Sequence, residues 1–207
     1  MHYSRGFGSL HSVITRTLLK SVLHSISSGF SFRNKIENNE KGDLLVIQMK
    51  DLRDAYSAIG NNLIKVSSEL VARSYCLEKG DVLFIAKGSN NYSLEFNLNL
   101  PNVIASSAFF VLRPETAAIS PGYLAWSLNQ TDAQRYFKQN TAGTYIPNIN
   151  IGTVENISIE IPSMEIQRKI VAIDQLRRRE RLLHEEIINK NDEVIQAALL
   201  QLLKKEK

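Results

Sequence analysis

In six positions, Lys87-Gly88-Ser89-Asn90-Asn91-Tyr92 sets one cation, three hydroxyl or amide side chains and an aromatic ring behind a short apolar run. Those groups bond phosphate oxygens and base edges, although a solvated surface loop uses the same letters. Residues 143–150 repeat the pattern with Thr144, Tyr145, Asn148 and Asn150 around Gly143 and Pro147. Arg33, beside Phe30 and Phe32, either holds a phosphate or covers a local apolar cluster. Asp43, followed by Gln48-Met49-Lys50, loosely matches the acid-plus-lysine arrangement that holds Mg²⁺ beside a scissile phosphate. Chance explains so short a match better, with a strand glutamine and a neighbouring exposed lysine as the plain alternative. His2, His11, His24 and His184 are scattered, so no metal site is expected. The chain has no zinc-type Cys/His spacing, no phosphate loop and no Gly-x-Ser-x-Gly elbow.

The elements that must position these groups read as an α+β chain. From Gly29 onward, short apolar bursts alternate with turn residues, which predicts strands at 44–48, 82–86 and 157–161. A further apolar block, 103–112, reads as a strand or a hairpin. Residues 121–138 have helical spacing, with Pro121 suited to a first turn. Residues 1–23 contain Arg5, Arg16 and Lys20 and no acid, but no continuous apolar core or cleavage site for a secretory signal. They read as a partly disordered extension that leads into a short helix over 13–26.

After Pro162 more than forty residues pass without glycine or proline. Ser163 suits an N-cap there, and Glu165 the first turn. Ile166, Ile170, Ile173, Leu176, Leu183, Ile187, Val194, Ala198 and Leu202 return at three- and four-residue steps, the period of an amphipathic or coiled-coil helix. Arg177, Glu180 and Asn191 interrupt the stripe. At 1.5 Å per residue the helix runs roughly 60 Å, against about 35 Å for a domain made from the rest. Much of it therefore needs a partner.

Charge restricts the reading further. The formal net charge is +4, yet residues 24–163 carry twelve basic and thirteen acidic groups. Any contact with nucleic acid there must come from local clusters rather than a global field. One cysteine, Cys76, excludes an internal disulfide and favours an intracellular, cytoplasmic chain. No apolar run approaches membrane-spanning length.

Taken in order, the stretches resemble the specificity, or DNA-recognition, subunit of type I restriction-modification systems. The resemblance is carried by Ile26-Ser27-Ser28-Gly29-Phe30-Ser31-Phe32-Arg33, by Gly42-Asp43 through Ile47-Gln48-Met49-Lys50-Asp51-Leu52, and by Leu77-Glu78-Lys79-Gly80-Asp81-Val82-Leu83-Phe84. Lys87-Gly88-Ser89, Val103-Ile104-Ala105-Ser106-Ser107, Leu112-Arg113-Pro114, Tyr123-Leu124, Gly143-Thr144 and Ile159-Glu160-Ile161-Pro162 continue the series. At the helix entry the family has Pro-Pro-Leu before Glu-Gln, where this chain has Pro162-Ser163-Met164-Glu165-Ile166-Gln167. The resemblance implies an extension at 1–23, a mixed α/β target-recognition domain at 24–162 and a long dimerisation or spacer helix at 163–207. It also implies a half-length form, because family members usually carry two recognition domains and two helices in one chain.

In function, the resemblance implies a non-catalytic subunit that binds double-stranded DNA and directs a partner adenine methyltransferase, with a restriction translocase or nuclease as a further partner. S-adenosylmethionine, ATP and Mg²⁺ would belong to those partners and no cofactor or metal to this chain. Phosphate contacts would fall to Arg33 and Lys87, and base contacts to Ser89, Asn90, Asn91, Tyr92, Thr144, Tyr145 and Asn148. Two copies, or this chain and a sister half, would pair. In the helix, residues 164–184 carry six basic and three acidic groups and 185–207 four and five, which favours an antiparallel pair. Two other classes stay open: a coiled-coil adaptor with no DNA role, and a small Mg²⁺-dependent nuclease built on Asp43 and Lys50.

Overall fold

The computed structural model describes residues 15–205 except 55, 89 and 142–146. Ser89, Thr144 and Tyr145, expected as base contacts, therefore lie outside the described residues. The chain divides into two compact units, residues 1–168 and 169–207.

Unbroken apolar runs form the centre of the first unit. β7 (Val82–Ile85) is buried at all four positions, as a strand covered on both faces must be. It lies between β8 (Ser93–Glu95) and β10 (Phe109–Pro114), and β2 (Leu23–Ser28) completes this antiparallel sheet in the order β2-β10-β7-β8. A second sheet sets β3 (Leu44–Ile47) between antiparallel β6 (Ile64–Val66) and parallel β9 (Val103–Ala105). A two-residue hairpin ladder, β4 (Leu52–Arg53) with β5 (Ala58–Ile59), and the pair β1 (Thr15–Leu18) with β11 (Ser158–Ile161) complete the strands. Ile47, Leu83, Ile85, Phe96 and Phe109 pack into one buried cluster.

Gly29 lets the two larger sheets meet. Its N–H donates to Phe109 O and that of Phe30 to Ala105 O, so the chain passes from one sheet to the other there. A Cβ at Gly29 would run into the carbonyl oxygens of Ala105 and Ser106, so no larger residue fits without moving backbone.

Three expectations need correction. Of the helix expected over 13–26, residues 15–26 form β1, a 3₁₀ turn (Leu19–Val22) and the start of β2 instead, and 13–14 lie outside the described residues. Thr15, Thr17 and Val22 are β-branched and Ser21, Ser25 and Ser27 compete with helical bonding, while cross-strand partners reward the extended form. The block 103–112 is not a hairpin, because β9 joins the second sheet and β10 the first. The helix over 121–138 is two helices, α1 (Pro121–Leu128) and α2 (Thr131–Gln139). They part at Asn129, whose side chain leaves the helical path to pair with the backbone of Ser93, accepting from its N–H and donating to its carbonyl, both at 2.8 Å.

After α3 (Ile151–Glu155) and β11, α4 (Met164–Lys205) runs unbroken for 42 residues. Ser163 Oγ accepts from Ile166 N–H at 3.5 Å. Gln167 is fully buried: its Oε1 accepts from Ser120 N–H at 2.8 Å, and its Nε2 donates to the carbonyls of Pro162 and Ala118. The helix start is thus bolted to the N-cap of α1. From residue 173 onward the stripe is exposed at Ile173, Leu176, Leu183, Ile187, Val194 and Leu202. Ile188, Ile195, Leu199 and Leu200 are exposed as well, so the apolar surface is wider than one stripe. Ala198 is exposed, while Ile166 and Ile170 are half-buried. Within this unit Asp174 accepts from Arg177 at 2.9 Å and Arg178 at 2.6 Å.

Candidate nucleic-acid interface

Residues 86–92 form the loop that joins β7 to β8, and its neck is fastened from several sides. Ile85 N–H donates to Tyr92 O, Ala86 N–H to Ala108 O, and Ile149 N–H to Ala86 O. Asn91 is buried, and its amide donates to Ile85 O at 2.9 Å across the neck. Its own carbonyl accepts from Gln134 of α2. Asn91, expected as a base reader, therefore has its side chain used in closing the loop.

Gly88 sits at φ +101°, a left-handed conformation glycine adopts freely, and this turns the loop towards the segment after residue 146. Gly88 N–H donates to Pro147 O at 2.8 Å, and Lys87 and Asn148 form an antiparallel bridge. The two polar stretches singled out in the sequence, about 55 residues apart, thus meet in one surface. Lys87, Asn90 and Asn148 are exposed there and Tyr92 is half-buried. Among the described residues Lys87 Nζ makes one hydrogen bond, a long one of 3.3 Å to Ser107 Oγ, which leaves it available to a phosphate. Asn150, in contrast, caps α3 by accepting from Thr153 N–H.

The structure adds a third component that sequence patterning did not mark. The β4–β5 hairpin folds over so that Tyr56 stacks on Tyr92, with ring centroids 5.6 Å apart and planes 22° from parallel. Asp54 and Tyr56 both have positive φ, +51° and +66°. For residues other than glycine such conformations cost on the order of 1–3 kcal/mol and survive where packing over-determines them. Met49, just before the hairpin, reaches within 3.9 Å of where a Cβ on Gly88 would stand. Lys50 and Arg53 are exposed on this segment. The same segment carries Asp51 and the exposed Asp54, so it adds cations without adding net charge. The only sequence signal was a tyrosine at the centre of a turn, which has no distinctive pattern.

Arg33 is not part of this surface. It lines a separate cavity of about 750 Å³ with Phe30, Phe32, Ile36, Val66 and Val71. Phe30 packs edge-to-face on both Phe32 and Tyr75.

The acid-plus-lysine pattern comes apart. Asp43 accepts from the hydroxyl and N–H of Ser68 at 2.7 and 3.0 Å, and these bonds hold its carboxyl below the usual range. Lys50 lies beyond the other end of β3, seven residues on, a span of roughly 20 Å for extended chain. Among the described residues no three His, Cys, Asp or Glu side chains are grouped to hold a metal. No helix among them is long and apolar enough to cross a membrane.

Residues 17–190 match the family described as Type I restriction modification DNA specificity domain. The HindI type I restriction enzyme specificity subunit of Haemophilus influenzae is 32% identical over 102 residues, covering 47% of this chain and 22% of that protein. The type I S subunit of M. genitalium superposes with a TM-score of 0.57 at 14% identity, over 82% of this chain and 40% of that one. The HsdS subunit of Thermoanaerobacter tengcongensis gives 0.60 at 16% identity, over 83% and 44%. At these identities the two structures establish the α+β fold with its long helix. This chain spans less than half the length of each of these relatives.

Proposed function

Since the chain belongs to the type I restriction modification DNA specificity family, we propose that it reads double-stranded DNA for a partner adenine methyltransferase and, in the complete system, a restriction translocase. The observation that carries this reading is the joining of the loop after β7 to the segment after Pro147 through Gly88 and Asn148. That junction gathers amide, aromatic and cationic side chains on one surface, the mixture that positions and reads a duplex. Lys87 takes phosphates, and Lys50, also exposed, is a second cation for them. Asn90, Tyr92 and Asn148 face base edges. This chain contributes no catalysis; S-adenosylmethionine, ATP and Mg²⁺ serve the partners, and the complex works in the cytoplasm.

The bare apolar face of α4 supports pairing with a second copy or a sister half. The excess of positive charge before His184 and of negative charge after it favours an antiparallel arrangement. Such a pair fixes the spacing of two half-sites as a two-fold dimer does. A solution mass showing only monomer removes this spacer role.

The test of the DNA reading is binding by the complex with its methyltransferase across a salt series. Lys87→Ala is expected to weaken binding evenly across sequences and to reduce the salt slope by about 1. An unchanged slope and affinity counts against this surface. Absence of any shift at low salt by the wild-type complex favours the adaptor reading, which the near-neutral charge of the middle segment supports.

A further inference from the structure

Arg53 differs from the other hydrogen-bonded arginines of the first unit. Arg113 and Arg135 are each neutralised by a carboxylate, and Arg16 bonds Ser158 on the β1–β11 pair. Arg53 is exposed and has no acidic partner among the described residues, yet its side chain is held. One terminal nitrogen, Nη1, donates to the carbonyls of Lys50 at 2.6 Å and Leu52 at 3.1 Å. Its stem folds back over Gly60, where an added Cβ would stand 3.6 Å from both Cγ and Nε. The guanidinium is therefore pinned at one nitrogen by its own backbone, which leaves Nη2 and Nε without a described acceptor. A fork held this way has lost its rotamer freedom before any ligand arrives, so binding costs less of it.

The hairpin that carries Arg53 is itself located by the Tyr56–Tyr92 stack, which sets it beside the loop of Lys87 and Asn90. A planar pair of donors suits a planar pair of acceptors: a guanine O6/N7 edge, or two oxygens of a phosphate. Lys87 and Lys50 already provide point charges for phosphate. Pinning a guanidinium in one orientation adds little to a phosphate contact and much to an edge contact, which depends on angle. We propose that Arg53 is a specificity-determining residue that reads a guanine in the major groove, held in register by the Tyr56–Tyr92 stack. This rests on the DNA reading given above.

The experiment uses the complex with the methyltransferase, whose recognition motif is first obtained by sequencing modified adenines with the wild-type chain. Arg53→Ala is expected to make one G·C position of the half-site degenerate and to weaken binding of the full site roughly 5- to 150-fold. Arg53→Lys restores the salt slope but not the discrimination. Placing 7-deazaguanine at that position weakens the wild type and leaves Arg53→Ala unaffected. Tyr56→Gly, which tolerates the positive φ and removes the ring, blurs the same position. An unchanged motif overturns the proposal, and so does a sequence-independent loss with a shallower slope that lysine fully rescues, the mark of a phosphate contact. A wild-type complex without any sequence preference refutes the DNA reading itself, an outcome separate from these.

Discussion

Removing the Arg113 guanidinium should cost the first unit more than neutralising its partner. Asp81 is 1% exposed and accepts three bonds: Glu78 N–H at 2.8 Å, Arg113 Nε at 2.8 Å and Arg113 Nη2 at 2.9 Å. Arg113 is 30% exposed and also reaches Glu78, itself 68% exposed. Deleting one member of a buried pair costs about 3–5 kcal/mol, because the other charge stays buried and alone. For Arg113→Met the remaining Glu78 N–H bond and water entering the vacated space place the loss near the bottom of that range, about 3 kcal/mol. Asp81→Asn leaves Arg113 with solvent, Glu78 and one amide oxygen, so about 1–2 kcal/mol is expected. The Glu78 contact adds little, being exposed. In the double variant no buried charge is left over, so adding Asp81→Asn to Arg113→Met should restore about 1–2 kcal/mol. Urea unfolding followed by fluorescence of the single tryptophan, Trp126 in α1, reports on this domain. An Arg113→Met loss under about 1 kcal/mol, or a double variant equal to the sum of the singles, rules out a buried charge pair of this kind.

Ser93 is fully buried and its hydroxyl has no partner among the described residues, while its backbone is paired with Asn129. Ser93→Ala is therefore expected to be neutral or stabilising by up to about 1 kcal/mol, and Asn129→Ala to cost about 2 kcal/mol by orphaning two backbone groups. Urea midpoints decide both, and a destabilised Ser93→Ala would show that the hydroxyl does bond in solution. For Asp43 the depressed carboxyl means its contribution is present above the unfolded carboxylate range and is lost as pH falls through the folded value. Ser68→Ala should move the Asp43 titration upward towards the ordinary value, measured by carboxyl-carbon NMR. An unmoved titration would show that the Ser68 bonds are not the cause.

The motif series that supplied the resemblance turns out to consist largely of joints. Gly29 and Phe30 cross from one sheet to the other, and Glu78 and Asp81 are tied to Arg113, which lies in another motif over thirty residues later. Such residues were legible because their geometry tolerates few substitutes. The long helix was legible because its period repeats over 42 residues. Strands β1 and β2 were misread because local spacing in 13–26 also fits a helix, and only the partners β11 and β10 settle the matter. Within the interface, Lys87 and Asn148 could be named from side-chain type, but not their meeting, which the backbone bonds of Gly88 and Ala86 arrange. Asn91 was picked out for its amide, which serves equally to read a base or to close a loop, and here it bonds across the loop's neck. Tyr56 and Arg53 were invisible because their placement comes from the fold of a short hairpin rather than from any pattern around them.

Where β1 meets β11, Thr15 faces Ile161 and Leu18 faces Ser158. The chain enters the sheets of the first unit on β1 and leaves them on β11, so the two connections lie side by side. A unit closed in this way can be spliced out, replaced or joined head-to-tail with another without threading anything through its interior, which is the geometry that tolerates insertion and circular permutation. It also imposes an order on synthesis: β1 leaves the ribosome more than a hundred residues before its partner, at ordinary translation rates several seconds or more. Until then the first strand has no ladder to join, and the domain seals with nearly its last residues.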